Sequence, residues 1–204
     1  MITYGSVCSG IEVASVAWAG LGWKAAWFAE IEKFPAAVLA HHYPDVPNLG
    51  DMTKIAASVR AGVVPAPAAM VGGTPCQAFS IAGLPKSLDD PRGQLTLAYV
   101  DLANAIDEKR VSNGESTAVH MWENVPGSVS TDDNAFGYFL AGMVGEDEAF
   151  EPVPRPEPGK KVAKVWLCLR TTAQTRLAPA RCPILLSGPT PPPYLRCRKC
   201  SKRR

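Results

Sequence analysis

The 204-residue sequence lacks any apolar run approaching the roughly 18 residues of a membrane-spanning helix, so no helical membrane anchor is expected. It also lacks a basic amino-terminal stretch followed by an apolar core and a small-residue cleavage site. No secretory signal is therefore read at Met1-Ile2-Thr3-Tyr4-Gly5, and a cytoplasmic setting is expected. Histidine is scarce. His41, His42 and His120 show no ligand spacing, so they read as surface or core residues and no metal is expected. The six cysteines are too dispersed for a disulfide scaffold and are expected as free thiols in a reducing compartment. Cys197-x-x-Cys200 has no second pair or nearby histidine, which favours a basic tail over a zinc site. A full Gly-x-Gly-x-x-Gly fingerprint is missing as well.

What is present fits one well-cored domain with room for an appendage: 47% apolar residues and a mean hydropathy of −0.01. The net charge of +2 hides an asymmetry. Residues 1–150 hold 8 Lys/Arg against 17 Asp/Glu, about −9, while residues 151–204 hold 13 against 2, about +11. The composition changes at the same place, since 10 of the last 54 residues are proline. Two regions are expected: an α/β domain over 1–150, and an irregular, basic, Pro-rich carboxyl-terminal tail over 151–204 in which only 162–169 looks strand-like.

Within the first region strand and helix patterns alternate. Strands are expected over 2–7, 23–29, 46–49, 68–72 and 118–122, and helices over 12–19, 33–41, 53–60 and 94–109. This alternation implies a doubly wound, mostly parallel sheet, whose ligands bind outside the carboxyl ends of its strands. That rule selects the loops at Ser9, Glu30, Asp51, Cys76 and Glu123.

The loop Gly72-Gly73-Thr74-Pro75-Cys76-Gln77-Ala78-Phe79-Ser80 has the make-up of a nucleophile's setting, with two glycines for close backbone turns and a proline before the thiol. Taken singly, Cys76 reads first as a small buried residue, and Glu30 or Asp51 as a solvated carboxylate. Their order along the chain changes the weighing. Pro75-Cys76-Gln77 with Phe79-Ser80, Glu123-Asn124-Val125-Pro126, Cys8-Ser9-Gly10-Ile11-Glu12, Gly50-Asp51-Met52-Thr53 and Asp89-Asp90-Pro91-Arg92-Gly93 together resemble the DNA cytosine-5 methyltransferase family over about residues 1–145. Glu12 stands where the commoner family form has a second glycine.

The resemblance implies a Rossmann-like fold that binds S-adenosylmethionine, with Ser9, Gly10, Ile11, Glu12, Glu30, Ile31, Asp51, Met52 and Gly73 at the cofactor. Glu30 would grip the ribose diol and Asp51 the adenine amino group. It further implies that Cys76, approached through Pro75, adds to carbon 6 of a flipped-out cytosine, which makes carbon 5 nucleophilic. Glu123 would share a proton with nitrogen 3, and Asn124 would hold the strand end. Gln77, Ser80 and Ile81 would either follow the vacated space or serve as turn-formers.

The implied partner is cytosine-containing DNA, in a bacterial or prophage restriction-modification setting. Complete members of the family continue with a Gln-x-Arg-x-Arg segment and a target-recognition domain. Gln174-Thr175-Arg176 gives only a fragment of that segment, because Ala178 stands at the second arginine position. The change of texture therefore motivates the expectation that residues from about 151 onward derive from a frameshift or early truncation. Two alternatives stay open: a noncatalytic cofactor- or DNA-binding remnant that needs a separate target-recognition chain, and, more distantly, a cysteine hydrolase.

Overall fold

The structure, a computed structural model, describes residues 1–75, 91–124, 134–146, 149–150, 165–170 and 182–186. Among them, six strands form one sheet: β1 (Thr3–Val7), β2 (Lys24–Ala29), β3 (Ala69–Gly72), β4 (Val119–Asn124), β5 (Val165–Arg170) and β6 (Cys182–Leu186). The order is β2-β1-β3-β4-β5-β6. The first four strands are parallel, and β5 and β6 are added antiparallel. Parallel neighbours need crossovers, and helices supply them: α1 (Val13–Trp18), α2 (Lys33–His42), α3 (Ile55–Arg60) and α4 (Pro91–Ser112), with α5 (Ala135–Val144) following β4.

Side-chain alternation along the strands divides the interior into two cores, as a doubly wound sheet requires. Tyr4, Phe28, Ala69 and Val71 pack with Leu39 of α2 and Ala14 and Trp18 of α1. Val7, Trp27, Met70 and Trp122 face the other way, against Ile55 and Val59 of α3, Tyr99, Leu102 and Ile106 of α4, and Phe136, Phe139 and Leu140 of α5. Arg60 ties α3 to α4 through Asp101 (2.7 Å) and Glu108 (2.8 Å). His120 is a core residue whose Nε2 lies 3.2 Å from Asp107 of α4.

Several boundaries differ from the sequence reading. The strand expected over 46–49 reduces to a single bridge between Phe28 and Asn48. There Pro47 has no N–H to give, and the Asn48 side chain takes the backbone groups of Glu30. β4 runs on to Asn124, so Glu123 and Asn124 are strand residues paired with Trp166 and Val165, not residues beyond a strand end. The segment expected to be irregular supplies β5, close to the 162–169 stretch, and also β6. Pro183 is tolerated in β6 because that strand lies at the sheet edge. Among the described residues no helix is long and apolar enough to cross a membrane.

Candidate active site at the carboxyl edge of the sheet

Register places the candidate residues on one edge. Val7 pairs with both Ala29 and Gly72, and Gly72 pairs with Trp122, so β1, β2 and β3 end at a common level and β4 continues past it to Asn124. The chain after each then emerges side by side. Two hydrogen-bonded clusters form there.

The first cluster joins the loops after β1 and β2. The Glu30 carboxylate accepts from the backbone N–H of Gly10 (2.8 Å) and of Glu32 (2.8 Å), which bridges the β1 loop to the start of α2. Asn48 exchanges two bonds with the Glu30 backbone (2.9 and 3.0 Å), and its Oδ1 also accepts from Gly50 (3.1 Å). Asp51 is thereby fixed one residue beyond Gly50. Its Oδ1 accepts from the Thr53 N–H (3.0 Å) and hydroxyl (2.7 Å), and those bonds hold its carboxyl below the usual range, so it is ionised at neutral pH. Ser9 accepts from the Ala29 N–H (3.2 Å) and donates to Ser6 (2.9 Å). Met52 is buried with its sulfur 3.6 Å from that of Cys8, while Ile11 and Ile31 are exposed.

The β1 loop holds two non-glycine residues at positive φ, Cys8 (49°) and Glu12 (66°), each costing about 1 kcal/mol in the left-handed region. Protein packed around the Cys8 sulfur and, secondarily, the Glu30 charge push its thiol up to about 11 although its surface reaches solvent, so Cys8 stays protonated at neutral pH. Glu12 caps α1: its Oε1 accepts from the Ser15 N–H (3.1 Å) and hydroxyl (3.3 Å), and Ser15 in turn bonds the Tyr4 hydroxyl. The Glu12 side chain is 1% exposed and thus turned into the α1–β1 interior.

Burial raises the Glu12 carboxyl, and the Ser6 and Ser15 hydroxyls oppose that shift without cancelling it. Its Oε2 is buried with no hydrogen-bond partner. A carboxyl raised in the folded state binds its proton more tightly there, so folding stability falls as pH climbs from the unfolded value, near 4.3, through the folded one. Glu12→Gln is therefore expected to raise the urea midpoint at pH 8, with the gain shrinking towards pH 4. A gain that stayed constant across that range would refute this account.

The second cluster joins the end of β3 to β4. Asn124 Nδ2 donates to the Thr74 carbonyl (2.9 Å), and Trp122 Nε1 donates to the Thr74 hydroxyl (3.2 Å). Glu123 lies over Gly73: a Cβ on Gly73 would come within 2.7 Å of the Glu123 carbonyl oxygen and 3.2 Å of its Oε2. Pro75 follows, exposed. Cys76, Gln77, Ser80, Ile81, Asp89, Val125, Gln174 and the tail cysteines lie outside the described residues.

The donor set suits S-adenosylmethionine. Each Glu30 oxygen accepts one backbone N–H and keeps a second lone-pair direction for a ribose hydroxyl. Gly10 (φ 56°) has open space where a side chain would project, which leaves room beside that carboxylate. Ile11 and Ile31, next in sequence to Gly10 and Glu30, expose apolar surface.

Compared with known families, residues 2–143 match the profile of the C-5 cytosine-specific DNA methylases. The chain belongs to that family. The C-5 cytosine-specific DNA methylases are S-adenosylmethionine-dependent enzymes, and the doubly wound, mostly parallel sheet seen here is their Rossmann-like fold. A relative from Escherichia phage P1, named a DNA N-6-adenine-methyltransferase, is 64% identical over 162 residues, which cover 79% of this chain and 22% of the relative. The orphan methyltransferase M.SPRI of Bacillus phage SPR is 32% identical over 115 residues, 55% of this chain and 23% of that one. The chain thus spans about a fifth of the length of these relatives. Among solved structures, the Dnmt2 methyltransferase of S. pombe superposes with a TM-score of 0.53 at 16% identity, covering 71% of this chain and 42% of that one, and this likeness shows the fold.

Sequence reasoning found Gly10, Glu30, Asp51, Glu123 and Asn124 at the edge but missed Asn48, which organises the first cluster, and Thr74 with Trp122, which organise the second. The one local signal for Asn48 was its place in Pro47-Asn48-Leu49-Gly50, a turn-forming sequence.

Proposed function

We propose that this chain carries the cofactor-binding and nucleophile-bearing part of a DNA cytosine-5 methyltransferase. The observation that carries this reading is the second cluster, in which the backbone leading into Pro75-Cys76 is bonded to the strand end that presents Glu123. Addition to the cytosine ring calls for a thiol and an acid acting on the same base. When bound, S-adenosylmethionine supplies an electrophilic methyl group.

In this reading Cys76 adds through its thiolate to carbon 6, forming a carbon–sulfur bond while electron density moves towards nitrogen 3 and carbon 5. Glu123 meets the charge at nitrogen 3 by sharing a proton. After methylation, loss of the carbon 5 proton expels the Cys76 thiolate and restores the ring. Glu30 takes the ribose hydroxyls, Asp51 the adenine amino group, and Ser9 to Ile11 with Ile31 make the remaining cofactor contacts, whereas Glu12, expected at the cofactor, is turned inward as the cap of α1, and Met52 is buried beneath the loop. Asn124 holds the loop through the Thr74 carbonyl. The whole enzyme's target recognition falls to parts found in the longer relatives, or to a separate chain.

The printed name of the phage P1 relative favours a second reading, with the adenine amino group as acceptor. One experiment separates the two. The chain is incubated with methyl-labelled S-adenosylmethionine and duplexes of varied sequence, with and without 5-fluorocytosine, and the labelled base and any denaturation-resistant adduct are identified. Fluorine cannot leave as the proton does, so cytosine chemistry traps the enzyme. Label on adenine without an adduct would replace the proposal, and cofactor binding with neither outcome would favour a noncatalytic remnant.

Glu123→Gln tests the acid separately. The amide keeps the shape but cannot share its proton in the same way, so adduct formation is expected to slow about 10²- to 10³-fold, as when an oxyanion-stabilising group is lost. Cofactor affinity should hold, and both quantities are read from single-turnover trapping and direct titration. Unchanged trapping kinetics would remove Glu123 from the chemistry.

A further inference from the structure

We propose that Thr74 and Trp122 latch the base of the segment carrying Cys76 and are positioning residues for the chemistry above, a proposal that rests on Cys76 being the nucleophile. Thr74 is two residues before Cys76 and 3% exposed. Three bonds converge on it: Trp122 Nε1 to its hydroxyl (3.2 Å), Thr96 Oγ1 to the same hydroxyl (3.4 Å), and Asn124 Nδ2 to its carbonyl (2.9 Å). Thr96 is in the second turn of α4, so the Thr74–Thr96 contact closes the base of the chain between the end of β3 and α4.

Trp122 cannot follow Thr74 if the latter shifts. Its indole is 1% exposed and packed against Phe136 (ring centroids 6.0 Å apart) and Phe139 (4.6 Å), which also touch each other (6.3 Å). A donor held rigidly in an apolar setting makes its acceptor's position costly to change, because a displaced Thr74 would withdraw the oxygen it supplies. β4 therefore places the entry to the Cys76 loop by two independent side chains. One grips the backbone and the other grips the hydroxyl, and the residue between them in sequence is Glu123, whose side chain alternates to the other face of the strand.

The test is hydrogen exchange by mass spectrometry on the full chain, combined with 5-fluorocytosine trapping. Thr74→Val is expected to raise exchange of the peptide covering residues 69–75 by about tenfold or more, with β1 and α2 peptides unchanged, because only a local opening is made easier. Trap formation should slow in parallel while cofactor affinity holds. Thr74→Ser retains the acceptor and should behave as wild type. Trp122→Phe/Thr74→Val removes donor and acceptor together, so it should lie closer to wild type than the two single effects added.

A uniform rise of exchange across the sheet, or additive single effects, would overturn the latch and leave a merely structural pair. Normal trapping by Thr74→Val would overturn it while leaving Cys76 in place. If the wild-type chain forms no trap at all, the cytosine reading fails, and with it the positioning role, whatever the exchange pattern.

Discussion

Replacing Cys76 by alanine is expected to abolish the denaturation-resistant adduct with 5-fluorocytosine DNA, a loss of at least about 10⁴-fold in trapping rate, as for other removed nucleophiles. Attack on carbon 6 needs a polarisable lone pair, and alanine has none. Cys8 cannot stand in for it. Its thiol is pushed up to about 11, and it sits on the β1 loop beside Glu30 and Met52, among the groups assigned to the cofactor. S-adenosylmethionine affinity should be unaffected. The Gly10–Glu30–Asn48 cluster is built from the loops after β1 and β2, whereas the cluster leading to Cys76 is built from β3, β4 and α4. Trapping assayed on denaturing gels and cofactor titration together check this. A persistent adduct would show that another residue attacks, and a parallel fall in cofactor affinity would show that the two clusters are not separable.

The strands of the parallel sheet were legible because each is a short apolar run, and the sheet-edge rule then picked out the loops at Ser9, Glu30 and Glu123. What escaped depended on partners distant in sequence. β4 extends through Glu123 and Asn124 because β5 pairs with both, and no local pattern announces an antiparallel neighbour 40 residues on. α5 was missed for a different reason. Phe136, Phe139, Leu140, Ala141, Met143 and Val144 are all buried, so the helix presents no polar face to set a 3.6-residue alternation. The proline density of residues 151–204 argued against strands there, and only the sheet order reveals that Pro183 lies on an edge where a missing N–H costs little. Thr74 and Trp122 looked like a loop residue and a core residue. Their hydrogen bond exists because register sets Gly72 opposite Trp122 and carries the chain past it.

Gly72→Ala is expected to be the most destabilising small substitution at this edge. Gly72 ends β3 between Val7 and Trp122, and an added Cβ would land on the Val7 carbonyl oxygen and Cγ2, far inside van der Waals contact. Val7 is fully buried in a strand flanked by β2 and β3, so the backbone has nowhere to retreat. Overpacking typically costs 1–3 kcal/mol, and a clash with backbone in a central strand belongs at about 3 kcal/mol or more. Against a total stability of about 5–15 kcal/mol, that corresponds to roughly a 10 °C fall in Tm for a chain of this size. Gly20→Ala is the control, since its Cβ would meet nothing within 4 Å and its melting should be nearly unchanged. Equal melting of the two variants would refute the packing argument. The functional signature is also specific. Val7 leads into the Gly10–Glu30 cluster and Gly72 into the Thr74–Glu123 cluster, so forcing these strand ends apart should weaken cofactor binding and trapping together, where Cys76→Ala removes trapping alone.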